Sequence, residues 1–213
     1  MALAKGVYPS SVKESWWECP VWTMKTSFDD EFNSQLIDEL HLIASNVQAG
    51  IDHSPGSSLW DYQTPRLTEL KTLISQVVNK TCVSYLPQNQ MVKFHLMSGW
   101  LNVKDRGEII ETHAHPDSSI AATYYIQADE GCGDLVLIDT GTVGQESIGF
   151  KRIKPSAGTL AFFPSYMLHR IEENKSNRLR ISLSTDLTHS IDKDSPDAPV
   201  LKSWVGGMLK IKG

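Results

Sequence analysis

The sequence predicts an α+β domain in which two helices support a β-sandwich or jelly roll. Three observations carry the prediction. Apolar residues recur at helical spacing twice between residues 30 and 81, short Val-, Ile-, Phe-, Tyr- and Leu-rich runs follow Pro87, and Gly, Asp, Asn and Pro punctuate those runs. At 213 residues and 23.8 kDa the chain can bury one substantial core but is too short for two catalytic domains of ordinary size. One domain over residues 1–213 is expected, divided into a helical support (1–90), a β-rich core (91–189) and a C-terminal segment (190–213).

Residues 1–27 read as irregular, with Pro9, Pro20 and the tryptophans Trp16, Trp17 and Trp22, which suit core anchors better than a binding stripe. From Asp30 the spacing of Phe32, Leu36, Leu40, Ile43, Ala44 and Val47 predicts one amphipathic helix, with Ser27-Phe28-Asp29-Asp30 available to cap it. The stretch from Gly50 to Gln63 reads as a loop. Thr64-Pro65 opens a second helix, with proline at its first position and Leu67, Leu70, Ile74, Val77 and Thr81 on one face. Eight strands are then expected at Val92–Val103, Glu108–His115, Ile120–Gln127, Asp134–Ile138, Ser147–Ile153, Thr159–Phe163, His169–Ile171 and Arg178–Leu187. In the C-terminal segment Leu201, Trp204 and Met208 could tuck back onto the body.

Twenty basic and 25 acidic residues give a formal net charge of −5, with no basic block able to neutralise a run of phosphates, so nucleic acid is not the expected partner. Cys19, Cys82 and Cys132 are odd in number and widely spaced, as reduced thiols of a cytoplasmic protein would be. Neither a signal peptide nor an apolar run of the ~18 residues needed to span a membrane is apparent. A homodimer is one open assembly.

The chemistry-bearing residues form one ordered series: His115-Pro116-Asp117, then His169, then Arg180-Ile181-Ser182. Two histidines and a carboxylate can hold Fe(II) on one face and leave the other open for a cosubstrate and O₂. Arginine offers a planar fork that pairs bidentately with a carboxylate, and a serine two residues along the same strand points to the same side. Together Arg180 and Ser182 would grip the far end of a dicarboxylic keto acid. Burying Arg180 without an anion would be costly; a salt bridge to Glu172 or Glu173 is the bland alternative.

This series resembles the H-x-D, distal His and R-x-S pattern of the 2-oxoglutarate/Fe(II)-dependent oxygenases. The run Ala157–Arg170 looks like the strand that carries the distal histidine, and His113-Ala114-His115-Pro116 with Tyr124-Tyr125 looks like the metal-binding corner. Both are similar to a little-characterised bacterial and phage branch of that superfamily, over roughly Val92 to Leu187. The resemblance implies a double-stranded β-helix, the cupin-like jelly roll. It also implies Fe(II) and 2-oxoglutarate as cofactor and cosubstrate, O₂ as oxidant, ascorbate as an optional reductant, and hydroxylation of a small-molecule or peptide substrate that the sequence does not identify.

The expected metal ligands are His115, Asp117 and His169. In the branch it resembles, the motif reads H-x-H-P with the place of Asp117 variable, so His113 is the alternative ligand. Residues 113, 115 and 117 would share one face of an extended strand, and spacing does not separate the choices. Tyr124 and Tyr125 must face opposite ways, and resemblance favours Tyr125 as the one at the cosubstrate, with simple core packing the open alternative. Trp100 and Asn102 flank the pocket side of an early strand, His95 is core or pocket, and His41, His53 and His189 read as surface residues. Two rival readings stand beside the oxygenase: a three-histidine cupin-type metalloenzyme using His113, His115 and His169, and a barrel that binds without turnover.

Overall fold

A computed structural model of the protein describes residues 19–46, 58–83, 92–139 and 149–191. Trp16, Trp17, Val47, His53 and the C-terminal Leu201, Trp204 and Met208 lie outside those residues.

Two helices form as the periodicity predicts. Helix α1 (Asp30–Asn46) begins where the Asp29 carboxylate accepts the Phe32 amide at 2.9 Å, and it buries Phe32, Leu36, Leu40 and Ile43. Helix α2 (Pro65–Val83) starts on Pro65, and the Glu39 carboxylate of α1 accepts the Arg66 and Leu67 amides at 3.0 and 3.2 Å. A negative charge thus meets unsatisfied N–H groups at the positive end of α2. The buried stripe of α2 is Leu67, Leu70, Ile74, Val78 and Cys82, so its second half lies one residue beyond the predicted Val77 and Thr81. An i, i+4 step covers 400° rather than 360°, and the stripe drifts to stay against a fixed surface.

Among the described residues, nine strands form two antiparallel sheets. They are β1 (Trp22–Lys25), β2 (Val92–Lys104), β3 (Ile110–His113), β4 (Ile120–Gln127), β5 (Leu135–Asp139), β6 (Gly149–Ile153), β7 (Thr159–Pro164), β8 (Leu168–Ile171) and β9 (Arg180–Ile191). The larger sheet runs β1-β7-β4-β9-β2 and the smaller β3-β8-β5-β6. This is the jelly-roll arrangement expected. The first strand is a correction: residues 22–25 lie in the stretch read as irregular, yet they pair with β7, and Trp22 stacks on Phe162 at 5.0 Å. Four residues are too few to show a period, and pairing to a neighbour supplies what local pattern does not.

The helices cover the outer face of the larger sheet. Strand alternation sorts side chains between two cores: Ile120, Ala122, Tyr124, Ile126, Leu160, Phe162, Ile181, Leu183 and Leu187 pack toward α1 and α2, whereas Ala121, Tyr125, Ala161 and Phe163 pack between the sheets with Leu135, Leu137, Ile153 and Ile171. The opposite orientation expected for the two tyrosines is seen directly, because the Tyr124 hydroxyl donates to Asn33 Oδ1 at 2.8 Å on the helix side. The predicted loop also holds a 3₁₀ turn, Leu59–Asp61, closed by a reciprocal Ser58–Asp61 capping box. Its buried Trp60 donates from the indole to Thr185 Oγ1 at 2.9 Å and lies over Gly99, where a Cβ would sit 2.5 Å from the ring.

Candidate metal and anion site

Every second residue of β9 faces the space between the sheets. Arg180, Ser182, Ser184 and Asp186 form a polar row, while Ile181, Leu183 and Leu187 point at the helices. Across the ladders Asn102 and Tyr125 flank Ser182, Trp100 and Thr123 flank Ser184, and Ser98 and Ala121 flank Asp186. A cavity of about 370 Å³ lies over this row, and its lining includes Arg180, Ser182, Trp100, Asn102 and three histidines.

Those histidines are His113, His115 and His169. Their ligand-capable nitrogens all lie within 4.8 Å of one another. His113 and His169 are register partners on β3 and β8. His115 follows β3 by two residues, and its ring stacks on His169 with centroids 5.2 Å apart and on the Trp100 indole at 5.5 Å. Each ring has one nitrogen occupied: His113 Nδ1 donates to Glu111 O at 2.7 Å, His169 Nδ1 to Met167 O at 2.8 Å, and His115 Nδ1 to Asp186 Oδ2 at 3.1 Å. Carbonyl and carboxylate oxygens only accept, so these nitrogens carry the protons and each Nε2 keeps a free lone pair. Burial, reinforced by the two neighbouring imidazoles, pushes the His169 pKa down to about 4, which keeps the ring neutral.

Asp117 is not gathered into the cluster. Strand β3 ends at His113, and residues 115–118 form a turn closed by the Ser118 amide on His115 O at 3.3 Å, with Asp117 exposed at its third position. Pro116 is the reason. Its fixed φ suits the second position of such a turn, and the chain that leaves it no longer alternates as a strand. The expected set of His115, Asp117 and His169 is therefore assembled only in its histidines, and the alternative ligand His113 stands where the carboxylate was expected.

At the other end of the row Arg180 is 1% exposed, and its Nε, Nη1 and Nη2 find no hydrogen-bond partner among the described residues. Ser182 Oγ and the Tyr125 hydroxyl are equally buried and equally unpartnered. The guanidinium lies 5.3 Å from the Tyr125 ring centroid, so the three groups share one corner. Burial, only partly offset by Arg180, raises the Tyr125 pKa to about 12 and leaves its hydroxyl protonated as a donor. The bland alternative for Arg180 is not realised, because Glu172 pairs outside the cavity with Arg152 and Arg170 at 3.1 and 3.8 Å. Buried donors around a cation with no partner among the described residues have the chemistry to pair with an anion such as a carboxylate.

Of the remaining histidines, His41 and His95 are exposed, and His95 bonds to Ser190 Oγ at 2.7 Å. His189, expected at the surface, is half-buried and bonded to Ser119 Oγ at 2.6 Å. Asp186 is the functional candidate that sequence reasoning missed. The signal was present, since Arg180-x-Ser182-x-Ser184-x-Asp186 keeps strict alternation and places it on the face already chosen.

Residues 98–186 match the protein family described as "Putative 2OG-Fe(II) oxygenase". The matched stretch runs from β2 into β9, so the barrel is similar to that family over less than half of the chain's length. No curated protein matches the chain by sequence. A prolyl-4-hydroxylase from Pseudomonas putida is similar at a TM-score of 0.54 and 16% identity, over 80% of this chain and 88% of that one. The α-ketoglutarate-dependent carbocyclase SnoK from nogalamycin biosynthesis is similar at 0.61 and 10% identity, over 87% of each chain. The chain also spans 60% of an oxidoreductase of the 2OG-Fe(II) oxygenase family from Burkholderia pseudomallei, covering 60% of itself at a TM-score of 0.48 and 15% identity. The first two share this chain's fold while carrying different printed activities, so the fold does not choose the substrate.

Proposed function

We propose that the protein is an Fe(II)- and 2-oxoglutarate-dependent dioxygenase, acting as a hydroxylase on a small-molecule or peptide substrate. The observation that carries this reading is Arg180, buried with every guanidinium nitrogen unpartnered among the described residues, in the cavity that three clustered histidines also line.

His113, His115 and His169 would hold Fe(II) through Nε2, a donor set that suits the metal because imidazole binds first-row ions as a neutral ligand. Bound iron supplies the redox chemistry: O₂ and 2-oxoglutarate give succinate and CO₂, with one oxygen atom entering succinate and the other the substrate C–H bond. The chain's own residues bind, orient and exclude water. Arg180 meets the distal carboxylate with its fork, Ser182 Oγ and the Tyr125 hydroxyl donate to the same group, and Leu135, Phe163 and Ile171 keep water from the pair. The Nδ1 bonds to Glu111 O, Met167 O and Asp186 hold the rings in orientation. No side chain is required to move a proton. Ascorbate would serve only to restore iron oxidised without substrate.

Anaerobic addition of Fe(II) and then 2-oxoglutarate tests the reading. A visible charge-transfer band that needs both additions is expected, as is slow succinate formation once air enters. A metal that binds without any response to 2-oxoglutarate favours the cupin-type reading, to which the three-histidine cluster also lends itself; that reading leaves Arg180, Ser182 and Tyr125 without a task. Absence of metal binding would move the protein to the binding-module reading.

A further inference from the structure

A divalent ion held by two histidines and a carboxylate carries a net charge of +1; held by three neutral histidines it carries +2. The cluster here lacks the carboxylate, and Asp117 lies exposed outside it. One carboxylate nevertheless touches the set. Asp186 is 8% exposed, its Oδ2 accepts His115 Nδ1 at 3.1 Å, and its Oδ1 is buried with no partner among the described residues.

The three histidines also differ in how they are held. His113 and His169 each donate Nδ1–H to the carbonyl two residues earlier in the chain, Glu111 O and Met167 O. His115 makes no such bond. It has left β3 and entered the Pro116 turn, and a carboxylate from the interior strand β9 takes the carbonyl's place. A carboxylate behind an imidazole fixes the Nδ1–H tautomer as a carbonyl does, and in addition raises the basicity of the opposite nitrogen and brings a negative charge.

We propose that Asp186 is a positioning residue of the metal centre: through its hydrogen bond to His115 it fixes the ligand tautomer and returns, behind that ligand, the negative charge that the three-histidine set lacks. This rests on the metal site proposed above. It extends that site by assigning a further task to a buried carboxylate that the reading above left with ring orientation alone.

Co(II) is a suitable probe, since it reports its ligands by visible absorption and by hyperfine-shifted proton resonances. The full chain, stripped of metal, is titrated with Co(II) as wild type, Asp186→Asn, Asp186→Ala and His169→Ala. Wild type is expected to bind one equivalent and to show three exchangeable imidazole N–H resonances. Asp186→Asn keeps the size and removes the charge; it should bind Co(II) about 10- to 100-fold more weakly, shift the visible band, and move or lose one N–H resonance while the other two stay. Asp186→Ala should weaken binding at least as much. Retention of wild-type affinity and all three resonances in both variants overturns the inference while leaving the metal site standing. Weakening in Asp186→Ala with wild-type affinity in Asp186→Asn overturns the charge role. If Asp186→Asn does not fold, the wild-type spectrum still decides, because three N–H protons of equal exchange rate, none sheltered by a carboxylate, contradict the assignment. Wild type that binds no Co(II) overturns the metal site, and this inference with it.

Discussion

His113 and His169 stand directly opposite one another across the β3–β8 ladder, with ring centroids 4.2 Å apart. Two imidazoles at that separation, both with Nδ1 committed to backbone carbonyls, form the fixed half of the candidate metal centre. His115 enters from the turn beyond β3. The fixed half is therefore the place to begin testing it.

His113→Ala and His169→Ala should each abolish stoichiometric Fe(II) binding, whereas Asp117→Ala should leave it within about twofold of wild type. Equilibrium dialysis against Fe(II) under nitrogen measures all three. A large loss in Asp117→Ala, with His113→Ala unaffected, would restore the H-x-D assignment that the turn at Pro116 disfavours.

Arg180→Ala should raise the 2-oxoglutarate concentration needed for half-maximal turnover at least tenfold, in keeping with a charge-assisted hydrogen bond worth roughly 1.5 to 3 kcal/mol. Iron affinity should hardly change, because Arg180 lies at the opposite end of the β9 row from Asp186. Succinate release titrated against 2-oxoglutarate is the measurement. An unchanged curve would remove Arg180 from the cosubstrate site.

The metal-free protein should lose stability as pH falls from about 6.5 toward about 4. Burial holds the His169 pKa near 4 in the folded chain against an ordinary 6.5. Between those values the unfolded chain takes up a proton that the folded chain refuses, so acid favours unfolding; below about 4 both forms are protonated and this contribution stops changing. His189, also lowered by burial, acts in the same direction. Denaturant midpoints at pH 7.5, 6, 5 and 4 should fall less steeply in His169→Ala than in wild type.

Gly99→Ala should destabilise the domain by about 1 to 3 kcal/mol, the usual cost of overpacking a tight core. The new methyl group would meet the Trp60 indole at 2.5 Å, and that ring is held in place by its bond to Thr185. Thermal melting of the purified variant reads the effect. A melting point equal to wild type would show that Trp60 can move.

Much of the fold was legible because its long elements repeat a period. Helix α1 begins at Asp30, helix α2 at Pro65 and strand β4 spans Ile120–Gln127, as the spacing of their apolar residues predicts. Strand β1 and the 3₁₀ turn at Trp60 were illegible, since both are held by partners distant in sequence, Phe162 and Thr185. Within the site, His169, Arg180, Ser182 and Tyr125 converge on one cavity corner or its mouth, as alternation along their strands requires. At the metal corner the structure departs from the expected strand at one residue, since Asp117 lies exposed outside the histidine cluster. Extending the strand pattern through Pro116 ignored the turn that Pro-Asp itself announces, and the same pattern carried four residues past Ser182 would have reached Asp186.

Strand β9 is paired on both edges, to β4 and to β2, and it carries the anion donors and the histidine's carboxylate on one face with core leucines on the other. A single-residue insertion or deletion within it would exchange the faces, bringing Ile181 and Leu183 into the cavity and delivering Arg180 to the helices. Recognition and folding are thus written in the same register. Drift in this strand can proceed by swapping side chains but not by changing length, and a homologous chain with one residue more or fewer there would have lost its buried polar row and its core together.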